Sequence, residues 1–436
     1  MASRYDIVVV GAGIMGVASA YHLQKNNPGK RILVVERYGA AAQGNTGRSN
    51  ALFRNTFTSS DNQVLANASI DFFQHLQETG VDVGLQKFGY LWMMDGDQLS
   101  RSGGFLKRME ANGVETRQYS KDELKRLLPG MVTDFGADEE AELMSLRPVE
   151  GAIFGPKCGA LDPDKLVRFY AEEFVKGGGS FAYNTDVESL VVGPSKRLGI
   201  EGEPFAWQDY EIEGISIRGR PGVLQAETVV VAGGAWTNEL LEPVGFEAHV
   251  KAKKRQLFSV QPTGPKLRSL VHAEGFSEMG VVPMVILPTA GAYFRPVRDE
   301  ECLWVGCEDE VNRAFIDRPD HDIESYLPEK GYYERGILPI VASYFPEFRE
   351  AVVKAMWAGL YAYNTIDNIP FAFRKRNLIV VGGDSGSGIM KGDSLGRVVD
   401  ALYRDEEETS LHGGTRYRTS KLGFDRRDVE REEWVI

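Results

Sequence analysis

The chain has 436 residues, about three times the ~150-residue scale of an ordinary domain, so a single small domain is excluded and a sizeable core is available. Hydrophobic residues make up 43% and charged ones 26%, and no stretch approaches the ~18 uninterrupted apolar residues of a membrane-spanning helix. Lys and Arg number 50 against 62 Asp and Glu, a net charge of -12 with no basic run, which argues against nucleic acid as a partner.

Cys158, Cys302 and Cys307 form no CxxC pair and are odd in number, so neither a disulfide framework nor a zinc site is expected, no metal is called for, and a reducing compartment fits. The opening MASRYDIVVVGAGIMG enters an apolar strand by about residue 6 and continues into a glycine-rich turn rather than a cleavage site. A cytoplasmic chain is expected, with peripheral membrane association left open.

Ile7 to Val10 is a short β-branched run that predicts a strand buried on both faces. It runs into Gly11-Ala12-Gly13-Ile14-Met15-Gly16, a GxGxxG sequence. Ile14, Val17, Ala18 and Tyr21 then fall on one face of a helix that closes near Asn26 to Gly29, and Ile32 to Glu36 predicts a second strand. The three glycines have separate tasks: Gly11 permits the tight turn, Gly13 lets the backbone approach a pyrophosphate, and Gly16 lets helix and strand pack closely. Unpaired N–H groups at the helix start stabilise the phosphates, while Glu36, 20 residues beyond Gly16, is placed to accept bonds from ribose hydroxyls, with Arg37 beside it.

The fingerprint alone does not separate NAD from FAD, and the residues after Glu36 decide. Residues 41 to 55 form a second glycine- and hydroxyl-rich segment without helical or strand period, containing Gly44, Asn45, Thr46, Arg48, Ser49, Asn50 and Arg54. It reads as a loop lying along an extended cofactor. Asp162 to Gly179 reads as a capped helix, and Phe181 to Val192 as the strand after it. Thr228 to Val231 drives a strand into Ala232, Gly233 and Trp236. Leu378 to Val381 does the same into Gly382 to Gly388, with Leu395, Val398, Val399 and Leu402 at helical spacing behind it. One nucleotide-binding layer is thus assembled from separated stretches of chain. Residues 88–155 and 239–350, rich in aromatic residues and short alternating runs, read as a mixed antiparallel sheet.

These pieces together resemble the FAD-dependent D-amino acid oxidase superfamily, in its sarcosine oxidase, N-methyl amino acid oxidase and dimethylglycine dehydrogenase branch. The resemblance rests on VVVGAGIMG, FGYLWM (88–93), GALDPDKLVRFYAEEFVKGG (159–178), VVVAGGAWTNEL (229–240), KKRQLF (253–258), GAYFRPV (291–297), WAGLYAYNTIDNIPF (357–371) and GGDSGSGIMKGDSLGR (382–397). The WAG-Y-YNT-D stretch and the acidic, isoleucine-terminated tail are shared with the FAD-dependent oxidoreductase domain-containing proteins. The implied fold is a discontinuous Rossmann-like α/β FAD-binding domain (1–87, 156–238 and 351–405), an α+β substrate domain with a mixed, mainly antiparallel sheet (88–155 and 239–350), and a tail (406–436). Val187 is implied beside the adenine, and the turn Ser385, Gly386, Ser387, Gly388, Ile389, Met390 at the pyrimidine end of the flavin.

The resemblance implies oxidation of the C–N bond of an amino acid or secondary amine such as sarcosine, proline or glycine to an imine, by hydride transfer to flavin N5. No nucleophile is needed, in keeping with the absence of GxSxG and HExxH sequences and with six scattered histidines. Arg54 matches the family's carboxylate-binding arginine, Arg295 is a second candidate clamp, and Tyr293, Tyr361 and Tyr363 are candidate pocket residues. Lys391 is a candidate charge near the flavin, although the family's clamp lysine aligns with Met390, and Asp384 and Ser387 replace its Phe and His. Gly359 stands where sarcosine oxidases attach flavin through cysteine, so FAD is expected to be noncovalent. Trp304 stands where they carry a lysine for oxygen reactivity, which favours a dehydrogenase; the electron acceptor, whether oxygen, quinone or an electron-transfer protein, is not specified. Oxidation of a 2-hydroxy acid, or a non-catalytic flavin-bearing accessory protein, are the alternatives on the same scaffold.

Overall fold

The computed structural model describes residues 4–308 and 313–435, arranged around two eight-stranded sheets. The strand Tyr5–Val10 lies inside the first sheet. Ile7 and Val9 point into a core shared with helices, and Val8 and Val10 into a core on the opposite face, as a β-branched run without polar alternation requires. Arg220–Val231 and Ile32–Val35 pair in parallel on its two sides, followed outward by Leu378–Gly382 and Ser180–Ala182, also parallel. Phe371–Lys375 closes one edge antiparallel, and Val187–Pro194 and Tyr210–Ile217 continue from Arg220–Val231 as an antiparallel meander.

The single strand expected over Phe181 to Val192 is two strands in different directions. Asn184 has a positive φ of 52°, and Thr185 donates its N–H to the carbonyl of Glu36, which turns the chain out of the parallel layer.

The helices Ile14–Asn26, Pro163–Lys176 and Gly392–Tyr403 pack together on the core that Ile7 and Val9 face. Asp162 caps the second through the N–H groups of Asp164 and Lys165, with proline in the first turn, as its sequence predicts. The first and third helices approach so closely that a Cβ on Gly396 would sit 2.7 Å from the carbonyl oxygen of Ala18. Asp393, fully buried, ties all three together: it accepts from His22 (2.8 Å), Tyr170 (3.2 Å) and Arg397 (2.7 Å). His22 therefore has a structural partner.

The second sheet runs in the order Val352–Asn364, Val250–Gln261, Cys302–Gly306, Tyr293–Val297, Met284–Ile286, Tyr90–Met94, Gly151–Gly155, Arg117–Ser120. Only Met284–Ile286 and Tyr90–Met94 pair in parallel, so the sheet is mixed and mainly antiparallel, as expected. One boundary is corrected. Residues 352–364, grouped by the sequence with the nucleotide-binding stretches, pair along their whole length with Val250–Gln261 in this second sheet, from Asn364 opposite Val250 to Val352 opposite Gln261. The stretch precedes the glycine turn in sequence, but twelve residues of antiparallel pairing decide its place. Among the described residues no helix is long and apolar enough to cross a membrane.

Candidate active site

A long cavity opens where the parallel strands end. Val10, Val35, Ala232 and Gly382, each at or just past a strand's carboxyl end, line it together. This is the edge at which open α/β sheets bind ligands, because helices begin there with unpaired N–H groups. Gly11, Gly13, Ile14 and Met15 line the cavity at the start of the first helix. Gly11 adopts φ +101°, and a Cβ there would lie 2.6 Å from the carbonyl oxygen of Ala232. Ala12 and Gly16 do not line the cavity. The N–H of Ala12 is bonded to Glu36 at 2.7 Å, and a Cβ on Gly16 would collide with the carbonyl of Gly11 at 1.9 Å, so both shape the turn from behind.

Glu36 and Arg37 line the same end. Glu36 spends one oxygen on Ala12 and the other on the N–H of Tyr38 at 3.0 Å, and so braces the turn. Arg37 lies over the Trp236 ring at 5.1 Å and donates to the carbonyl of His321 at 2.7 Å. Val187, Gly233 and Trp236 complete this end, joined by Asp186, Arg218 and Glu239, which sequence reasoning missed because no motif links them. Arg218 and Asp186 are paired at 2.8 Å.

Residues 44–54 form the lengthwise wall. Gly44, Asn45, Thr46, Ser49, Asn50 and Arg54 line the cavity, and Thr46 Oγ1 accepts the N–H of Ile14 at 3.1 Å, seating the loop on the helix start. Arg48 and Gly359 do not line it. Arg48 turns away to the carbonyl of Ala358 (3.2 Å) and to Glu324, and Gly359 lies beneath Asn45 and Arg48; the neighbouring Leu360 reaches the cavity.

At the far end Ser385, Gly386, Ser387, Gly388, Ile389 and Met390 line the cavity with Tyr361 and Tyr293. Gly386 adopts φ +82°, and a Cβ there would lie 2.1 Å from the Tyr361 ring, so only glycine lets the turn pack on that ring. Tyr90 and Met284 also line this end and were not anticipated, since both come from stretches whose sequence reads as ordinary core; Asp384, in the turn Gly382 to Gly388, lines it as well. Burial pushes the hydroxyls of Tyr90, Tyr293 and Tyr361 up from the ordinary value, so they stay protonated. Burial likewise raises the Asp384 carboxyl. Tyr363 lies behind Tyr361 and accepts from Arg255 at 2.6 Å.

The five candidate reacting residues are thus divided. Arg54, Tyr293 and Tyr361 line the cavity; Arg295 and Lys391 do not. The guanidinium of Arg295 stacks on Trp304, its cross-strand neighbour, at 4.1 Å and donates to Asn50 at 2.8 Å, with burial lowering its pKa to about 10. It holds the loop from outside. Lys391 is fully buried over the Phe57 ring at 4.5 Å and donates to Ser387 at 2.5 Å; burial lowers its ammonium to about 7. Trp304 packs edge-on to Trp357 at 4.7 Å and also stays outside the cavity.

Arg54 is buried with its guanidinium 3.9 Å above the Phe57 ring and 5.2 Å from that of Trp92. It donates to two main-chain carbonyls, those of Thr56 and Trp434, and among the described residues it forms no ion pair.

A parallel sheet whose strand ends carry two glycine turns, each opening a helical segment at one continuous cavity, defines a dinucleotide-binding protein. The chain belongs to the DAO family, FAD dependent oxidoreductase, whose model matches residues 6–402. FAD is the cofactor of that family, and the protein is an FAD-dependent oxidoreductase. It is 23% identical over 443 aligned residues to FAD-dependent oxidoreductase domain-containing protein 1 of Xenopus laevis, covering 92% of this chain and 79% of that protein. It is 21% identical to the monomeric sarcosine oxidase of Bacillus sp. (strain B-0618), covering 92% and 93%. Among solved structures, L-proline dehydrogenase from P. horikoshii superposes with a TM-score of 0.72 at 22% identity, over 94% of this chain and 96% of that one.

Proposed function

We propose that the protein oxidises the C–N bond of a small carboxylated amine, an amino acid or N-alkyl amino acid, to the imine, and that Arg54 binds the substrate carboxylate. The observation that carries this reading is the state of Arg54: a buried cation lining the cavity whose hydrogen-bond acceptors are neutral carbonyls. The buried carboxylate of Glu432 offsets part of this charge from a distance, but no carboxylate is hydrogen-bonded to the guanidinium, and a ligand carboxylate supplies that direct pairing through two parallel bonds. The relatives named for sarcosine and L-proline act on compounds that place a carboxylate beside a secondary amine.

The lining fits FAD along its length. In this reading the turn at Gly11 and Gly13 and the first helix N–H groups hold the pyrophosphate, Glu36 faces the ribose, Val187 and Trp236 flank the adenine, and Ser385 to Met390 hold the flavin end. Gly44 lines the cavity with nothing within 4 Å of where a Cβ would stand, and Cβ atoms at Gly11 and Gly388 would push on its walls, at 2.6 Å from Ala232 and 2.3 Å from Asp384. Gly359 offers no side chain for covalent attachment. FAD, when bound, supplies the two-electron acceptor.

The chain's own residues bind and orient. Tyr90, Tyr293 and Tyr361 remain neutral hydroxyls, which leaves Arg54 as a cation lining this end. It attracts carboxylate and repels ammonium, which favours the free amine whose lone pair the oxidation requires.

The test is anaerobic mixing of the FAD-loaded protein with sarcosine, dimethylglycine, L-proline, glycine, 2-hydroxy acids and amines lacking a carboxylate, following loss of the flavin's visible absorbance. Carboxylated amines are expected to bleach it, and Arg54→Gln to raise their KM about 30- to 1000-fold, from roughly 2–4 kcal/mol of lost charge-assisted binding. Bleaching by 2-hydroxy acids alone, or by none of the panel, overturns the reading.

A further inference from the structure

The acceptor that Trp434 presents to Arg54 belongs to a segment that is anchored at one point and stacked at another. Glu432, 1% exposed, is the anchor. One of its carboxylate oxygens accepts from the N–H (3.0 Å) and hydroxyl (2.9 Å) of Thr58, and the other from the N–H (3.1 Å) and hydroxyl (2.8 Å) of Ser59 and from Asn62 (3.1 Å). These donors sit at the start of the helix Ser60–Glu78, whose positive end favours an anion. The main chain of Glu432 is held as well: its N–H donates to the carbonyl of Asp367 at 2.9 Å, and its carbonyl accepts from Asn368 at 3.0 Å.

Two residues on, the attachment changes in kind. The Trp434 ring stacks on Trp92 at 4.4 Å and meets Phe105 edge-on at 4.6 Å. The main-chain N–H of Trp434 donates to the Glu432 carboxylate at 3.0 Å, and its carbonyl accepts from the Arg54 guanidinium. Trp434 is partly exposed, and Trp92 carries both the indole of Trp434 and, at 5.2 Å, the Arg54 guanidinium. The carbonyl therefore occupies a hydrogen-bonding position on the group assigned above to the substrate carboxylate.

We infer that Trp434 is a latch that determines specificity, with its carbonyl holding Arg54 until a ligand carboxylate displaces it. The inference rests on Arg54 being the carboxylate clamp. A carboxylate adds the attraction of an opposite charge and can take the guanidinium through two parallel bonds, which a single neutral carbonyl cannot, so it wins the exchange. A ligand with only neutral oxygens gains nothing over the carbonyl it must replace, and the latch thereby selects anionic substrates. Glu432 stays in place during the exchange, because Thr58, Ser59, Asn62, Asp367 and Asn368 hold it without Arg54; Trp434 and Val435 swing away, which frees the Trp434 N–H from Glu432.

The experiment uses the FAD-loaded protein and two carboxylates without an oxidisable amine, acetate and 2-furoate, with binding read by calorimetry and by perturbation of the flavin spectrum. Trp434→Gly removes the stacking that holds the latch shut, and Trp434→Phe retains part of it. If the latch competes with the ligand, Trp434→Gly lowers the Kd of both carboxylates about 3- to 30-fold, as expected when a competing closed population is removed. Trp434→Phe then returns the Kd toward that of the parent. An unchanged or raised Kd in Trp434→Gly overturns the latch, since a segment that merely positions Arg54 weakens binding when loosened.

Hydrogen exchange on the unsubstituted protein is the second measurement and does not depend on a variant folding. Saturating 2-furoate is expected to speed exchange at Trp434 and Val435 and leave Glu432 protected; slower or unchanged exchange at Trp434 overturns the inference. Arg54→Gln separates the two claims. If it binds both carboxylates as the parent does, the clamp reading fails; if it loses them while Trp434→Gly leaves the Kd unmoved, the latch alone fails.

Discussion

Glu36 accepts the main-chain N–H of Ala12 at 2.7 Å, so the acid closing one strand and the turn closing its neighbour form one hydrogen-bonded unit. The carboxylate sets the shape of the glycine turn, in addition to any bond it makes to a ribose. Glu36→Ala leaves the N–H groups of Ala12 and Tyr38 without this acceptor. Titration of the apoprotein with FAD is expected to show a Kd about 10- to 150-fold weaker, from the roughly 1.5–3 kcal/mol carried by hydrogen bonds to a charged group. An unchanged Kd would mean that the turn holds its shape without Glu36.

The contact between Gly396 and Ala18 makes a second prediction. An alanine at 396 would place its Cβ 2.7 Å from the Ala18 carbonyl oxygen and 2.9 Å from His22, so the helices Ile14–Asn26 and Gly392–Tyr403 must separate. Gly396→Ala is expected to destabilise by about 1–3 kcal/mol and to lower the Tm by several degrees. Gly103→Ala, on an exposed helix with nothing within 4 Å of the new Cβ, is the neutral control. Equal melting of the two variants would refute the close-approach argument.

Asp393 couples the helix cluster to pH. Burial opposes its charge, but His22 and Arg397 hold the carboxyl below its ordinary value of 3.8. A lowered folded-state value contributes stability that is present above the unfolded value and is lost as pH falls through the folded one. Asp393→Asn is expected to cost about 3–5 kcal/mol at neutral pH, where it leaves buried partners uncompensated. The difference from the parent should shrink below about pH 4. Denaturant unfolding at several pH values measures it, and a pH-independent difference would show that the charge of Asp393 is not what stabilises the cluster.

The legible part of the site was the part made by neighbours in the chain. Gly11 to Gly16 and Ser385 to Met390 announce themselves because strand, turn and helix succeed one another within a few residues, each with its own periodicity. Loop residues 44–50 were recognisable by their small, polar composition, yet which of them face inward was not: Arg48 and Asn50 are two residues apart, and only Asn50 lines the cavity. Arg295 reads in sequence as a second candidate clamp after Arg54. Strand pairing opposite Trp304 turns it outward onto an indole, whereas the loop before Phe57 turns Arg54 inward. Lys391 lies one residue beyond Met390, and that step moves its side chain from the cavity wall to the Phe57 ring.

The sequence by itself determined the nucleotide-binding layer, the presence of a second, mainly antiparallel sheet and the family, because these depend on local periodicity and on glycines whose steric role is set within a turn. Only the tertiary structure decided that Val352–Asn364 belongs to the second sheet, that Tyr90, Met284 and Asp384 meet at one end of the cavity, and that Glu432 and Trp434 come back to Arg54. Those relations join residues as much as 380 positions apart. Sequence periodicity carries no record of such contacts, because they arise from the packing of complete elements against one another.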